Sequence, residues 1–199
     1  MNQTLRRAIT GLGLVAIMTV AAYAALAPGQ NAPAFTAEAS QAGKDFTFSM
    51  RKALAKGPVV VYFFPSAFTQ GCDLEAHTFA TEKSKFTAAG ATIIGVSADS
   101  IKRLNAFSSS PSYCAGQFPV ASDSNLKIAK EYGLKAAQPR PGMKDVRGVA
   151  IDHAFIERTT FVVNKDGRVV ATFSSAAGHV SPAQHVYDSL AAVKKLTGK

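Results

Sequence analysis

The chain has 199 residues, of which 47% are hydrophobic and 18% charged, with a net charge of +9 and two cysteines. That length and balance suit one globular domain with an appendage, and exclude a disordered, low-complexity or repeat protein. The basic residues stand singly among acids without an aromatic-basic stripe, so the charge describes a solvated surface and predicts no nucleic-acid partner.

The appendage is N-terminal. Arg6 and Arg7 precede an uncharged stretch from Ala8 to Ala27. A basic head, an apolar middle and the small-residue step Ala22-Tyr23-Ala24 read as a secretory signal over residues 1–24, with the domain over 25–199. About twenty apolar residues also span a bilayer, so the other reading is a retained anchor, and membrane contact is expected only in that case. Either way the chain is expected to be exported, to the bacterial periplasm or to the periplasmic face of the inner membrane. Residues 1–24 carry two arginines and no acids, so without them the charge falls from +9 to +7. In such a compartment Cys72 and Cys114 are also compatible with a plain structural disulfide.

After a Pro/Gly-containing connector, Ala34–Thr36 and Asp45–Phe48 flank a turn-like Ser40–Lys44 segment and predict a small hairpin. Val59 to Phe64 is a β-branched and aromatic run that suits a strand buried on both faces, and Pro65 ends it. A helical pattern begins near Thr69, a good N-cap residue, and Leu74, Phe79 and Phe86 are its candidate core contacts. Gly90 stops that helix, and Ala91–Ser97 is a second buried strand, so the two strands are expected to run parallel. Ser100 opens a helix to about Phe107. A Ser/Pro/Gly-rich loop, Ser108 to Gln117, then carries Cys114, and Phe118–Ala121 follows as a short strand. Ser124 is expected to cap a helix to Tyr132, Gly133 to stop it, and Leu134–Gly148 to be a surface excursion. Glu157–Val163 and Arg168–Phe173 flank Asn164-Lys165-Asp166-Gly167, a strong hairpin signal. Ser181-Pro182 then opens a helix with Val186, Leu190, Val193 and Leu196 at helical spacing. The order predicts an α/β sandwich with a mixed central sheet and helices on both faces.

Cys72 sits in the first turn of the helix that follows the central strand. Unsatisfied N–H groups and the helix dipole favour thiolate there, so a reactive thiol is expected. Pro65-x3-Thr69-x2-Cys72 resembles the active-site signature of the peroxiredoxins (the AhpC/TSA-like family), whose fold is thioredoxin-like. Glu75, three residues beyond the cysteine, resembles the bacterioferritin-comigratory or Q-type branch. Glu157-Arg158-Thr159-Thr160-Phe161, followed by the Asp-Gly hairpin, resembles the family's later arginine strand. The resemblance extends from about Pro33 to Leu196.

It implies a thiol-dependent peroxidase that reduces hydrogen peroxide and small organic hydroperoxides, with Pro65, Thr69, Cys72 and Arg158 around the peroxide. Chemically, a thiolate attacks one peroxide oxygen and charge develops on the other, so a permanently charged Arg can serve both atoms. Thr69 can accept or donate a proton, Pro65 can shield the site, and Glu75 is expected to orient Arg158. In some Q-type relatives a resolving thiol lies five residues after the first; His77 stands there. Others carry it in the following helix or loop, so the resemblance implies an intramolecular Cys72–Cys114 disulfide formed from a Cys72 sulfenic acid. An external thiol or thioredoxin-like reductant would then restore the enzyme, as a monomer or weak dimer.

No cofactor and no metal is expected. His77, His153, His179 and His185 are dispersed and read as surface residues, and Asp99 and Asp123 as turn or cap residues. A thioredoxin-like disulfide oxidoreductase is the rival enzyme, but needs a cysteine where Glu75 stands. A copper chaperone would want one where Ala76 stands. A non-catalytic redox-sensing or binding module is the alternative from another class.

Overall fold

The computed structural model describes residues 24–199, so the expected signal or anchor, up to residue 23, lies outside the described residues. A hairpin comes first. Strands β1 (Thr36–Gln41) and β2 (Lys44–Ser49) pair antiparallel around Ala42-Gly43, both at positive φ (51° and 76°), as a two-residue hairpin turn requires. Because the turn needs only those two residues, both strands extend into the expected Ser40–Lys44 loop. Helix α1 (Met50–Leu54) leads to β3 (Val59–Phe63), α2 (Gln70–Ala88) and β4 (Thr92–Ser97). Then come α3 (Ile101–Ser109), β5 (Val120–Ser122) and α4 (Lys127–Glu131). A two-stranded ribbon of β6 (Ala136–Ala137) and β7 (Phe155–Ile156) stands apart from the main sheet. The hairpin β8 (Thr159–Val163) and β9 (Val169–Ser174) follows, then a short α5 (Ser175–Gly178) and α6 (Pro182–Thr197).

The seven-stranded sheet has the order β2-β1-β5-β4-β3-β8-β9. Strand β3 runs parallel to β4 and antiparallel to β8, so the sheet is mixed as expected. The continuous apolar run of β3 is explained by what lies on its two sides. Val59, Val61 and Phe63 face a core with Met50, Ala53, Ile128 and Tyr132, from α1, α4 and its end. Val60, Tyr62 and Phe64 face a second core with Phe79, Phe107 and Val186, from α2, α3 and α6. Each fully buried Phe or Val side chain contributes about 1.5–3 kcal/mol of transfer free energy. Tyr62 lies over its β4 neighbour Gly95, where a Cβ would come within 2.7 Å of the ring.

Three expectations need correction. Leu74 is 50% exposed, because α2 buries the faces of Cys72, Glu75, Ala76 and Phe79, and Leu74 falls between those helical positions. Helix α4 begins at Lys127 rather than near Ser124. Asp123 caps it, accepting from the Ile128 and Ala129 amides at 3.0 and 2.8 Å. The connector is docked on the domain: Leu26 N–H donates to the Tyr132 carbonyl (3.2 Å), and Thr172 donates to the Leu26 carbonyl (2.6 Å). The excursion after α4 also returns to the domain, with Asp145 buried and the Val146 N–H donating to the Phe68 carbonyl (3.0 Å).

Candidate active site

Cys72 and Glu75 lie three residues apart on the buried face of α2 and therefore point the same way. Arg158 comes from the link between β7 and β8 and meets both. Its Nη2 donates to Cys72 Sγ at 3.2 Å, and its Nη1 is ion-paired to Glu75 Oε2. Close approach depends on Gly71, where a Cβ would lie 3.3 Å from Arg158 Nη2 and 3.5 Å from the Pro182 ring. Pro65 is half-buried at the start of the loop after β3. Thr69 occupies the N-cap position with extended backbone, yet its hydroxyl makes no cap bond. It donates instead to the Ser66 carbonyl at 2.8 Å.

Burial pushes the Cys72 thiol up from its ordinary value, and Glu75 adds to that push. The Arg158 guanidinium, the Thr69 hydroxyl and the Ser66 backbone pull it back without overcoming it. The expected acidified thiol is therefore not what this arrangement produces, because the helix N-terminus that favours thiolate is packed in an apolar core. Glu75, fully buried, is raised to about 7 by desolvation, with Arg158 opposing. Its state matters to the thiol, since an ionised Glu75 neutralises the cation that Cys72 needs.

Cys114 is a free thiol, as is Cys72, and both lie in the core shared by α2, α3 and α6. Cys114 is fully buried, in a turn-rich segment that the sequence suggested would be a flexible loop. Aromatic packing holds it down: the neighbouring Tyr113 stacks on Phe107 at 5.1 Å and meets Phe68 edge-on at 5.3 Å. Burial raises its thiol well above the ordinary value, with Asp73 acting in the same direction.

Two features escaped the sequence. The first is an ionic clamp on the loop before α2. Phe68, at φ 60°, adopts a left-handed conformation that costs a non-glycine residue about 1–2 kcal/mol. It is held by the Arg147 guanidinium over its ring, 3.2 Å from the centroid. Asp145 pairs with Arg147 (2.7 Å) and Arg103 (2.9 Å), and Arg103 pairs with Asp99 (2.6 Å). Asp99 also accepts from the Ala67 amide (2.9 Å) and from His153 Nε2 (3.0 Å). Asp99 is thus the hub of the clamp rather than a turn residue. Burial opposes its charge, but His153 and the Ala67 amide hold it below the usual carboxylate range. Burial lowers His153, and the hydrogen bond and charge of Asp99 more than reverse this.

The second is a buried chain behind Glu75. His185 Nδ1 lies 2.9 Å from Thr160 Oγ1, and its Nε2 lies 2.9 Å from Ser175 Oγ, which donates to the Val180 carbonyl (2.7 Å). His185 is fully buried and His153 half-buried, so the surface reading holds only for His77 and His179. No motif signals His185, whose contacts come from β8 and α5, 25 and 10 residues before it in the chain.

The AhpC/TSA family profile matches residues 28–172. This chain belongs to the AhpC/TSA family. A putative peroxiredoxin of Mycobacterium tuberculosis is 34% identical over 158 residues, covering 78% of this chain and 91% of its own length. Chloroplastic peroxiredoxin Q of Populus jackii is 32% identical over 174 residues, covering 87% of this chain and 71% of that protein. The solved structure of Xanthomonas campestris bacterioferritin comigratory protein superposes with a TM-score of 0.62 at 29% identity, covering 80% and 91% of the two chains. The fold is accordingly thioredoxin-like, and the relatives support the Q/bacterioferritin-comigratory branch of the peroxiredoxins. The activity is that of a thiol-dependent hydroperoxide reductase, which sets aside the disulfide oxidoreductase, copper-chaperone and silent-module readings.

Proposed function

We propose that Cys72 is the peroxidatic residue, with Arg158, Thr69 and Pro65 around the peroxide and Glu75 positioning Arg158. The observation that carries this reading is the 3.2 Å contact from Arg158 Nη2 to Sγ. The Cys72 thiolate attacks the terminal oxygen of ROOH, the O–O bond breaks, and RO⁻ leaves to become ROH on taking a proton. The guanidinium faces both the sulfur and the oxygen on which charge develops. Thr69 rotates from the Ser66 carbonyl to serve the peroxide. Small organic hydroperoxides are included as substrates, and the alkyl peroxide reduction described for the Xanthomonas campestris relative supports this. Loss of peroxide consumption in Cys72→Ser is expected; retained consumption would refute the assignment.

In this proposal Cys72–SOH condenses with the Cys114 thiol, releasing water and forming an intramolecular disulfide that an external dithiol reduces. Because Cys114 is fully buried, the segment after α3 must open first. Peptide mapping after one equivalent of peroxide is expected to find the Cys72–Cys114 link in monomer. Over-oxidation of Cys72 is expected in Cys114→Ser. Absence of the link, with unchanged cycling in Cys114→Ser, would transfer resolution to an external thiol. Export to the periplasm is part of the same proposal, supported by Arg6, Arg7 and the uncharged Ala8–Ala27 stretch. The intact mass of protein recovered from cells separates a chain beginning at Ala25 from one that keeps its first residues.

A further inference from the structure

Cys114 sits in a segment, residues 110–117, whose hydrogen bonds run almost wholly within itself or back to α3. The Tyr113 and Ala115 amides donate to the Ser110 carbonyl (3.1 and 2.9 Å), the Gly116 amide to the Ser108 carbonyl (2.8 Å) and the Gln117 amide to the Cys114 carbonyl (2.9 Å). The exception among the described residues lies at the tip of the first hairpin, where Gln41 Nε2 donates to the Gly116 carbonyl (3.1 Å). Two further bonds join that tip to the end of α3. Ser108 Oγ accepts the Gly43 N–H (2.9 Å) and is hydrogen-bonded to Ser40 Oγ (2.8 Å). The Ser40 backbone also pairs with Val120 in β5, so Ser40 touches both ends of the stretch that carries Cys114. The approach is close: a Cβ on Gly116 would lie 3.1 Å from Ala42 Cβ, and one on Gly43 would lie 3.3 Å from Ser109 Cβ. Ser40 and Ser108 are fully buried, so their bond is shielded from water.

We propose that the tip of the β1–β2 hairpin, through Ser40, Gln41 and Gly43, is a catch on the Cys114 segment and sets how often Cys114 is released to react. The proposal rests on the reading of Cys114 as the resolving thiol and adds the element that controls it. Bonds inside 110–117 can travel with the segment. The three hairpin bonds and the seat of Tyr113 against Phe68 cannot, so these must break before Cys114 leaves the core, and the released unit includes the last turn of α3. None of the three hairpin bonds involves Cys72, Arg158, Thr69 or Pro65, so the catch acts on the second step and not on peroxide attack. A Cys72 sulfenic acid has two fates. Either the Cys114 thiol attacks the Cys72 sulfur, forming the S–S bond and releasing water, or a second ROOH oxidises the sulfenic acid to sulfinic acid and leaves as ROH. A loose catch favours the first fate and a tight one the second.

The test reads the catch before any peroxide is added, as the rate at which N-ethylmaleimide labels Cys114 in the reduced protein, followed on the Cys114 peptide by mass spectrometry. Ser40→Ala removes one buried bond and strands no partner, because Ser108 keeps the Gly43 amide and the Asn105 carbonyl (3.2 Å). It is expected to speed Cys114 labelling about fivefold, and Gln41→Ala about two- to fivefold, with Cys72 labelling unchanged. Unmoved Cys114 labelling in both variants overturns the proposal. Equal quickening at both cysteines also overturns it, because the opening would then be that of the whole domain. With peroxide, both variants should form the Cys72–Cys114 disulfide faster by the factor seen in labelling, as read by quenched-flow peptide mapping. They should consume the first equivalent at the wild-type rate and need more peroxide to reach the sulfinic acid. An unchanged disulfide rate beside faster labelling overturns the proposal as well. Absence of the disulfide from peroxide-treated wild-type protein would instead strike the resolving role of Cys114, while labelling still decides the catch.

Discussion

Two histidines, His185 buried and His153 half-buried, flank the start of α2 and differ in charge, although a free imidazole is the same at both positions. His153 has no choice but to donate from both nitrogens: Nδ1 faces the Ala154 carbonyl at 3.0 Å and Nε2 faces the Asp99 carboxylate. It is an imidazolium in an ion-paired clamp. His185 donates from one nitrogen and accepts at the other, and Arg158 nearby opposes a second proton. It is neutral. The clamp satisfies its charges and holds a strained loop; the chain behind Glu75 leaves one oxygen unpartnered and bears on a reacting group. Complete pairing buys rigidity, while incomplete pairing leaves a protonation state that can be tuned.

The largest effect that breaks the comparison is expected at Arg158, which faces the His185 side. Arg158→Met should lower the second-order rate of Cys72 with hydrogen peroxide by about 10²–10³-fold in stopped-flow measurements. Its stability should fall less than that of a broken buried pair usually does, because Glu75 can take up a proton. Asp99→Asn acts on the other side. It strands His153, leaves Arg103 with Asp145 as its remaining carboxylate, and should cost about 3–5 kcal/mol in urea denaturation. At low denaturant it should leave a much larger share of peroxide reactivity than Arg158→Met does.

The pH dependence of the two histidines should differ in sign. The folded-state pKa of His153 is raised above 6.5, so its contribution to stability is complete below 6.5 and is lost as pH rises through the elevated value. Amide exchange at Ala67, corrected for intrinsic rate, should quicken over that range in wild type and lose this step in His153→Gln. The folded-state pKa of His185 is lowered to about 4, so its contribution is present above 6.5 and is lost as pH falls toward 4. Thermal melts of His185→Gln should therefore show a flatter acid limb. The smallest effect is expected from Gly71→Ala. The added methyl should slow the peroxide reaction a few-fold by displacing Arg158, while the better helix former raises stability by about 0.5–1 kcal/mol.

The central strand, the helix beginning at Thr69 and the 164–167 hairpin were legible because each is written in contiguous residues. Cys72 and Arg158 were legible through a family signature. Leu74 was misread because its hydrophobicity says nothing about which face of α2 the sheet covers. Asp99, Asp145 and Arg147 looked like ordinary loop charges, and became a clamp only when the excursion after α4 folded back on Phe68.

By itself the sequence determined the kind of chemistry: a strand that ends at a proline, a helix that begins at a threonine, and a thiol three residues later. These depend on local backbone preferences and helix geometry, which act over a few residues. The tertiary structure decided how ionisable that thiol is. Burial and the distance to Arg158 arise between elements far apart in the chain, such as Glu75 and Arg158, 83 apart. Electrostatic energies depend on depth and separation in space, neither of which spacing along the chain contains.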